Sequence, residues 1–85
     1  MKVIWSQLAE ETYYENLFYL NENWSLQVIS NFINDVEKTI ELIKINPEIF
    51  NWYNSDKKYR IGYINKHISF IYSYTAKEIF IHLFW

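Results

Sequence analysis

The chain has 85 residues, a net charge of −2 and no cysteine, and aromatic side chains make up 21% of it. A chain of this length forms one domain, so we predict a single domain over residues 1–85. The missing thiols exclude a disulfide framework and a cysteine zinc site. The charge excludes a global positive field that would draw the whole protein to nucleic acid.

The first half of the chain predicts a strand, Lys2–Trp5, followed by a helical hairpin. Ser6 and Ser25 are each placed to cap the first turn of a helix with the hydroxyl group. Apolar residues recur every three or four positions after each serine, which is the helical period. We expect Asn46 to end the second helix in the left-handed conformation, because Pro47 cannot continue it.

The second half predicts a loop and three strands. The predicted strands are Tyr59–Ile64, His67–Tyr74 and Ile79–Trp85. The last is apolar on both sides except at His82, which is typical of a central strand. The loop Glu48–Lys58 carries several aromatic side chains, some of which we expect to cover an edge of the core. The order β-α-α-β-β-β places the chain in the α+β class.

Charge is distributed unevenly along the chain. Eight of its ten acidic residues precede Asp56, whereas five of its eight cationic residues follow it. Any contact with a polyanion is therefore expected in the C-terminal third. No apolar stretch approaches the roughly 20 residues of a membrane span, and no signal peptide is apparent, so we expect a cytoplasmic protein without membrane contact.

Four segments are specific as a set: the strand that enters a helix through Trp5-Ser6, INPEIF at 45–50, YRIGYINKHISFIYSY at 59–74, and IFIHLFW at 79–85. In this order and spacing they resemble the RelE/ParE superfamily of type II toxins over essentially the whole chain. The resemblance implies a small twisted sheet with the helical hairpin packed on one face.

The resemblance also implies a function. It implies a growth-inhibiting toxin of a toxin-antitoxin module of the plasmid-stabilisation kind, wrapped and masked by a cognate antitoxin in a hetero-oligomer. Members of the family either cleave messenger RNA on the ribosome or inhibit DNA gyrase. The cleaving members use neither a metal nor another cofactor. If this chain is an enzyme, the resemblance implies a metal-independent endoribonuclease that works by general acid–base chemistry and electrostatic stabilisation.

Three residues are candidates for catalysis: Arg60, Lys66 and His82. Arg60 matches the family's arginine on the second strand and would clamp a phosphate; the alternative is a solvent-facing arginine paired with a glutamate. His82, together with Trp85 or Tyr72, is the candidate acid–base group, and the alternative is a hydrogen-bonded histidine on a half-buried strand. A nuclease requires the three candidates to converge on one exposed face.

Two further groups of residues are candidates for binding. Lys57, Lys58 and His67 are the candidates for contact with RNA or phosphate, although ordinary solvated positions explain each of the two lysines better. The predicted antitoxin-binding residues are Tyr13, Tyr14, Phe18 and Trp52. The helix-one aromatics among them could instead stack on bases or belong to the core.

Two alternatives to an active toxin stay open. The single arginine of the chain argues against an efficient nuclease. One alternative is a catalytically inactive relative that serves as an antitoxin-binding or oligomerising module. The other alternative is an unrelated small α+β interaction domain. The residues do not decide between the ribosome with its messenger RNA and gyrase as the target.

Overall fold

The computed structural model describes residues 1–85 and confirms the predicted order of elements. The elements are β1 Lys2–Trp5, α1 Gln7–Asn23, α2 Leu26–Ile45, β2 Arg60–Tyr63, β3 Ser69–Tyr74 and β4 Glu78–Phe84. The two helices form a hairpin on one face of a four-stranded mixed sheet, so the predicted α+β class and architecture are confirmed.

Both predicted helix caps are present. The Ser6 hydroxyl accepts the N–H of Ala9 at 2.9 Å, and the Ser25 hydroxyl accepts the N–H of Val28 at 3.4 Å. The left-handed conformation expected at Asn46 is wrong: its φ and ψ are −140° and 91°. A following proline disfavours helical conformations, so it holds Asn46 extended, and the Asn46 side chain accepts the N–H of Glu48.

The strands lie in the order β1-β4-β3-β2, with β1 parallel to β4 and the other pairs antiparallel. The predicted central position of the last strand is confirmed, because β4 has a partner on each side. The register of β4 against β3 shifts by one residue: Ile71 pairs with Leu83, but Tyr72 pairs with Ile81. His82 is the extra residue, so β4 contains a bulge at its histidine.

The core lies between the hairpin and one face of the sheet, here called the inner face. Its largest fully buried side chains are Phe32 and Ile43 from α2 and Phe70, Tyr72, Ile79, Ile81 and Phe84 from the sheet. One side-chain bond ties α1 to the bulged strand: the N–H of Phe84 donates to the Thr12 hydroxyl at 2.9 Å. Burial of apolar area on this face is the main stabilising term.

The loop between α2 and β2 covers the β2 end of the inner face, as the sequence predicted for part of it. Phe50 packs edge-on against the rings of Phe70 and Tyr72. Trp52 forms a single bridge with Arg60, so this stretch of the loop lies along the edge of β2. No helix of the fold is both long enough and apolar enough to cross a membrane.

Candidate functional site

The register of the strands decides which side chains share a face of the sheet. Arg60, Tyr72 and Ile81 are neighbours across three strands and point to the inner face. Residues one position away, such as Ser73 and Ile71, point to the opposite face, which no helix covers. We call this opposite face the open face.

His82 lies on the open face, because it is one position along β4 from the inward-facing Ile81. Its Nε2 lies 2.7 Å from the Ser73 hydroxyl, a hydrogen bond whose direction depends on the histidine tautomer. The ring of Tyr59 meets the imidazole edge-on, with 5.1 Å between the ring centroids. The backbone is fixed nearby, because the Ser6 hydroxyl donates to the His82 carbonyl at 2.8 Å. Bulges commonly re-aim a side chain beside a functional site.

A shallow groove of about 400 Å³ surrounds this histidine. Its walls are formed by Tyr53, Tyr59, Ile71, His82, Leu83 and Trp85. Tyr53 and Trp85 meet edge-on at one end, with 6.2 Å between the ring centroids. We call this site the open-face groove. Flat aromatic walls with one proton-exchanging group suit an unstacked nucleobase.

Burial lowers the pKa of His82 below its usual 6.5. Desolvation penalises the charged imidazolium, and no carboxylate stands close enough to offset this penalty. His82 is therefore neutral near pH 7, with one ring nitrogen able to accept a proton. A neutral imidazole can act as a general base but supplies no positive charge to a developing anion.

Arg60 lies on the inner face and does not join His82. Only 9% of the residue is exposed. Its Nη1 donates to the carbonyl of Phe50 at 2.7 Å, and its guanidinium carbon lies 3.8 Å from the centre of the Trp52 ring. The solvent-facing ion pair with a glutamate is wrong, because Arg60 forms no salt bridge. The guanidinium instead fixes the α2–β2 loop to the sheet.

The predicted convergence of Arg60, Lys66 and His82 is therefore not formed. The sheet separates Arg60 from His82, and Lys66 is exposed in the turn between β2 and β3. The prediction that Tyr72 is a partner of His82 is also wrong. Tyr72 is fully buried on the inner face, its hydroxyl donates to the Pro47 carbonyl at 2.6 Å, and burial raises its pKa to about 12.

The predicted phosphate-binding residues lie in two places. Lys57 and Lys58 are exposed in the loop that leads into Tyr59, but neither lines the open-face groove and neither has an ion-pair partner. His67 lies in the β2–β3 turn and lines a different cavity, which faces the tip of the helical hairpin. The two lysines thus lie close in sequence to one groove residue, Tyr59, whereas His67 lines a cavity against the helices.

The predicted antitoxin-binding residues also divide. Tyr14 and Phe18 are about two-thirds exposed on α1, at 65% and 66%. Tyr13 is half-buried and packs on Trp5 with 5.2 Å between ring centroids. Trp52 stacks on Arg60 at the β2 edge. Since β1 and β2 form opposite edges of the sheet, Trp52 is remote from the helix-one aromatics that contact β1.

Sequence reasoning missed Tyr53, Tyr59 and Ser73 as members of the site. The alternation along β3 contained the signal for Ser73, because it placed this residue on the face opposite Tyr72. The β4 bulge at His82 has no marker in the sequence. No three histidine, aspartate or glutamate side chains come together as metal ligands.

Comparison with solved structures supports the fold. A YoeB/ParE toxin from Agrobacterium tumefaciens has a TM-score of 0.68 to this chain, with 13% identity, over 98% of this chain and 94% of that one. A YoeB dimer from Staphylococcus aureus has a TM-score of 0.67 with 15% identity, over 98% and 92%. Neither the protein-family models nor the curated proteins yield a match. At this level of identity the likeness shows the fold that the sequence resemblance implied.

Proposed function

We propose that this protein is the toxin of a type II toxin-antitoxin module, that it inhibits translation, and that it holds RNA in the open-face groove. The fold shared with YoeB/ParE toxins supports the first part. One observation supports the inhibition of translation and the binding of RNA: His82 lies beside Ser73 inside a groove with aromatic walls. Such a groove is sized and lined for an unstacked base.

The groove provides aromatic surfaces on which a nucleobase can stack and a histidine that can act as a general base. Tyr53, Tyr59 and Trp85 offer ring faces and edges, and stacking of one base on an aromatic side chain contributes roughly 1–3 kcal/mol. His82 is neutral and can accept the proton of a ribose 2′-hydroxyl as its oxygen attacks the neighbouring phosphorus. The 5′-oxygen then leaves and takes a proton from water.

Charge stabilisation is the weak part of the site. The sole guanidinium of the chain bonds to loop carbonyls on the other face, and no lysine or arginine lines the groove. Lys57 and Lys58 are the cations that immediately precede the groove residue Tyr59 in the chain. Preorganised cations are usually a large part of such catalysis. We therefore propose that the protein binds RNA on the ribosome and cleaves it slowly. Its partner in the cell is a cognate antitoxin.

A second candidate function rests on the environment of Arg60. Its structural role removes the group that a nuclease would use, and this favours an inactive relative that only binds an antitoxin. This candidate and the toxin differ in one observable. A binding module leaves protein synthesis unchanged when it is produced without a partner, whereas a translation inhibitor stops it.

The test is the rate of amino-acid incorporation in bacteria within minutes of inducing the chain alone. We expect a prompt fall for the wild type and a much smaller fall for His82→Gln and Tyr59→Ala. Tyr19→Ala is the matched control, because Tyr19 is exposed on α1 and takes no part in the groove. Unchanged incorporation with arrested growth would indicate gyrase, and unchanged growth would indicate a binding module; each contradicts the proposal.

A further inference from the structure

The hydrogen bond between Ser73 and His82 occupies one nitrogen of the imidazole and leaves the other without a partner. His82 Nε2 lies 2.7 Å from the Ser73 hydroxyl, at the short end of the range for nitrogen–oxygen bonds. The other ring nitrogen, Nδ1, forms no hydrogen bond within the chain, and the only buried side-chain nitrogen or oxygen without a partner is Arg60 Nε. Nδ1 is therefore accessible, and its residue lines the open-face groove.

The ring of His82 is held from two sides. Tyr59 meets it edge-on, with 5.1 Å between the ring centroids, and Ser73 bonds to it from the neighbouring strand β3. No aspartate, glutamate, lysine or arginine lines the groove, so the other ionisable side chains of its walls are Tyr53 and Tyr59. Ser73 is the one side chain bonded to the ring, and the bond at one ring nitrogen decides which nitrogen carries the proton.

We propose that Ser73 is a positioning residue: its oxygen accepts the proton of His82 Nε2, so that Nδ1 carries the lone pair and is the basic atom of the groove. A hydroxyl that accepts from Nε2–H keeps this bond when the ring gains a proton at Nδ1, because both nitrogens of an imidazolium are donors. A hydroxyl that donates to Nε2 would leave Nδ1–H facing the groove, and the ring could not accept a proton there. The use of Nδ1 as a base rests on the proposed function, but the tautomer can be measured without it.

The Ser73 bond strengthens during the proposed reaction. Nδ1 takes the proton of a ribose 2′-hydroxyl while the 2′-oxygen forms a bond to the neighbouring phosphorus. The bond from phosphorus to the 5′-oxygen breaks, the 5′-oxygen takes a proton from water, and the imidazolium returns its proton to the hydroxide that remains. While the ring is charged, the bond from Nε2–H to Ser73 is charge-assisted. An interaction that is stronger in the transition state than before it lowers the barrier.

Nitrogen NMR of the purified, folded chain tests the assignment, because the chemical shifts of Nδ1 and Nε2 report which nitrogen is protonated. We expect neutral His82 to carry its proton on Nε2 in the wild type, and to populate both tautomers in Ser73→Ala. We also expect the pKa of His82 to fall in Ser73→Ala, because the variant loses a bond that favours the charged ring. If Ser73 instead donated its proton, the variant would lose a bond that favours the neutral ring, and the pKa would rise.

Two further serine variants serve as controls. Ser73→Thr keeps a hydroxyl at this position and should keep the wild-type tautomer and pKa of His82. Ser69→Ala is the matched control, because Ser69 lies on the same strand and the same face of the sheet but does not line the groove. It should change neither quantity.

The translation assay then tests the use of this tautomer. Ser73→Ala should inhibit about fivefold less than the wild type, as the loss of one hydrogen bond predicts, and Ser69→Ala should inhibit as the wild type does. A wild-type ring protonated at Nδ1, or a His82 pKa that rises or stays unchanged in Ser73→Ala, would overturn the proposal. The expected tautomer and pKa in a wild type that inhibits nothing would support the role of Ser73 and contradict the proposed function alone.

Discussion

The two faces of the sheet use similar residues for different purposes. On the inner face Phe70, Tyr72 and Arg60 are buried. The Tyr72 hydroxyl and Arg60 Nη1 bond to the loop that covers them, and Arg60 Nε has no partner. On the open face Tyr59 and His82 remain partly accessible beside Ser73. The role of an aromatic or cationic residue therefore depends on its position in the strand alternation. A shift of one residue would move its side chain from the buried inner face to the accessible open face.

The largest expected effect comes from adding a side chain at Gly62, where the ring of Phe70 lies directly against the backbone on the inner face. A Cβ there would overlap the ring of Phe70, which is fully buried and packed against Tyr72 and Phe84. We expect Gly62→Ala to lower the free energy of unfolding by about 3 kcal/mol, as overpacking does. Urea denaturation measures this, and Phe70→Leu in the same chain should recover part of the loss. An unchanged midpoint for Gly62→Ala would contradict the packing described for this face.

Replacing the buried arginine should have the next largest effect. Arg60→Met keeps the apolar stem but leaves the carbonyl of Phe50 without its donor and removes the stacking on Trp52. We expect a loss of about 2 kcal/mol in the free energy of unfolding. Lys58→Met is the matched control, because Lys58 is exposed and should change the stability little. Equal effects of the two substitutions would show that Arg60 is not a structural residue.

The smallest expected effect is the pH dependence due to His82. Its pKa is lowered in the folded protein, so the unfolded chain binds more protons just below pH 6.5. The part of the stability that depends on neutral His82 is present above pH 6.5 and is lost as the pH falls toward the folded-state pKa. We expect His82→Gln to flatten the stability profile between pH 7 and pH 5. A profile that falls equally steeply in the variant would contradict the desolvation of His82.

The sequence predicted the architecture well because local signals agreed. Two serine caps, one amphipathic helix of about five turns and alternating strands are each determined by neighbouring residues. The prediction of which residues share a site was less successful, because it depended on contacts between residues that are distant in sequence. Arg60 was expected beside His82, but the strand alternation places the two residues on opposite faces of the sheet.

Residue type alone also led to a wrong prediction for the role of Arg60. A lone arginine at the start of a strand suggests a phosphate ligand, yet Arg60 bonds to carbonyls ten to twelve residues earlier. Those carbonyls belong to a loop whose path is set by Pro47 and by the packing of Phe50. No pattern in the sequence specifies that path, so the structural role of Arg60 was not predictable.

The most direct measurement is inhibition of a cell-free translation reaction by equal amounts of folded variants, at a temperature below the lowered midpoint of Arg60→Met. We predict that Arg60→Met inhibits as strongly as the wild type, while His82→Gln and Tyr59→Ala inhibit far less, because activity depends on the open face alone. Strong inhibition by His82→Gln together with loss of inhibition in folded Arg60→Met would contradict this assignment and make Arg60 a functional group.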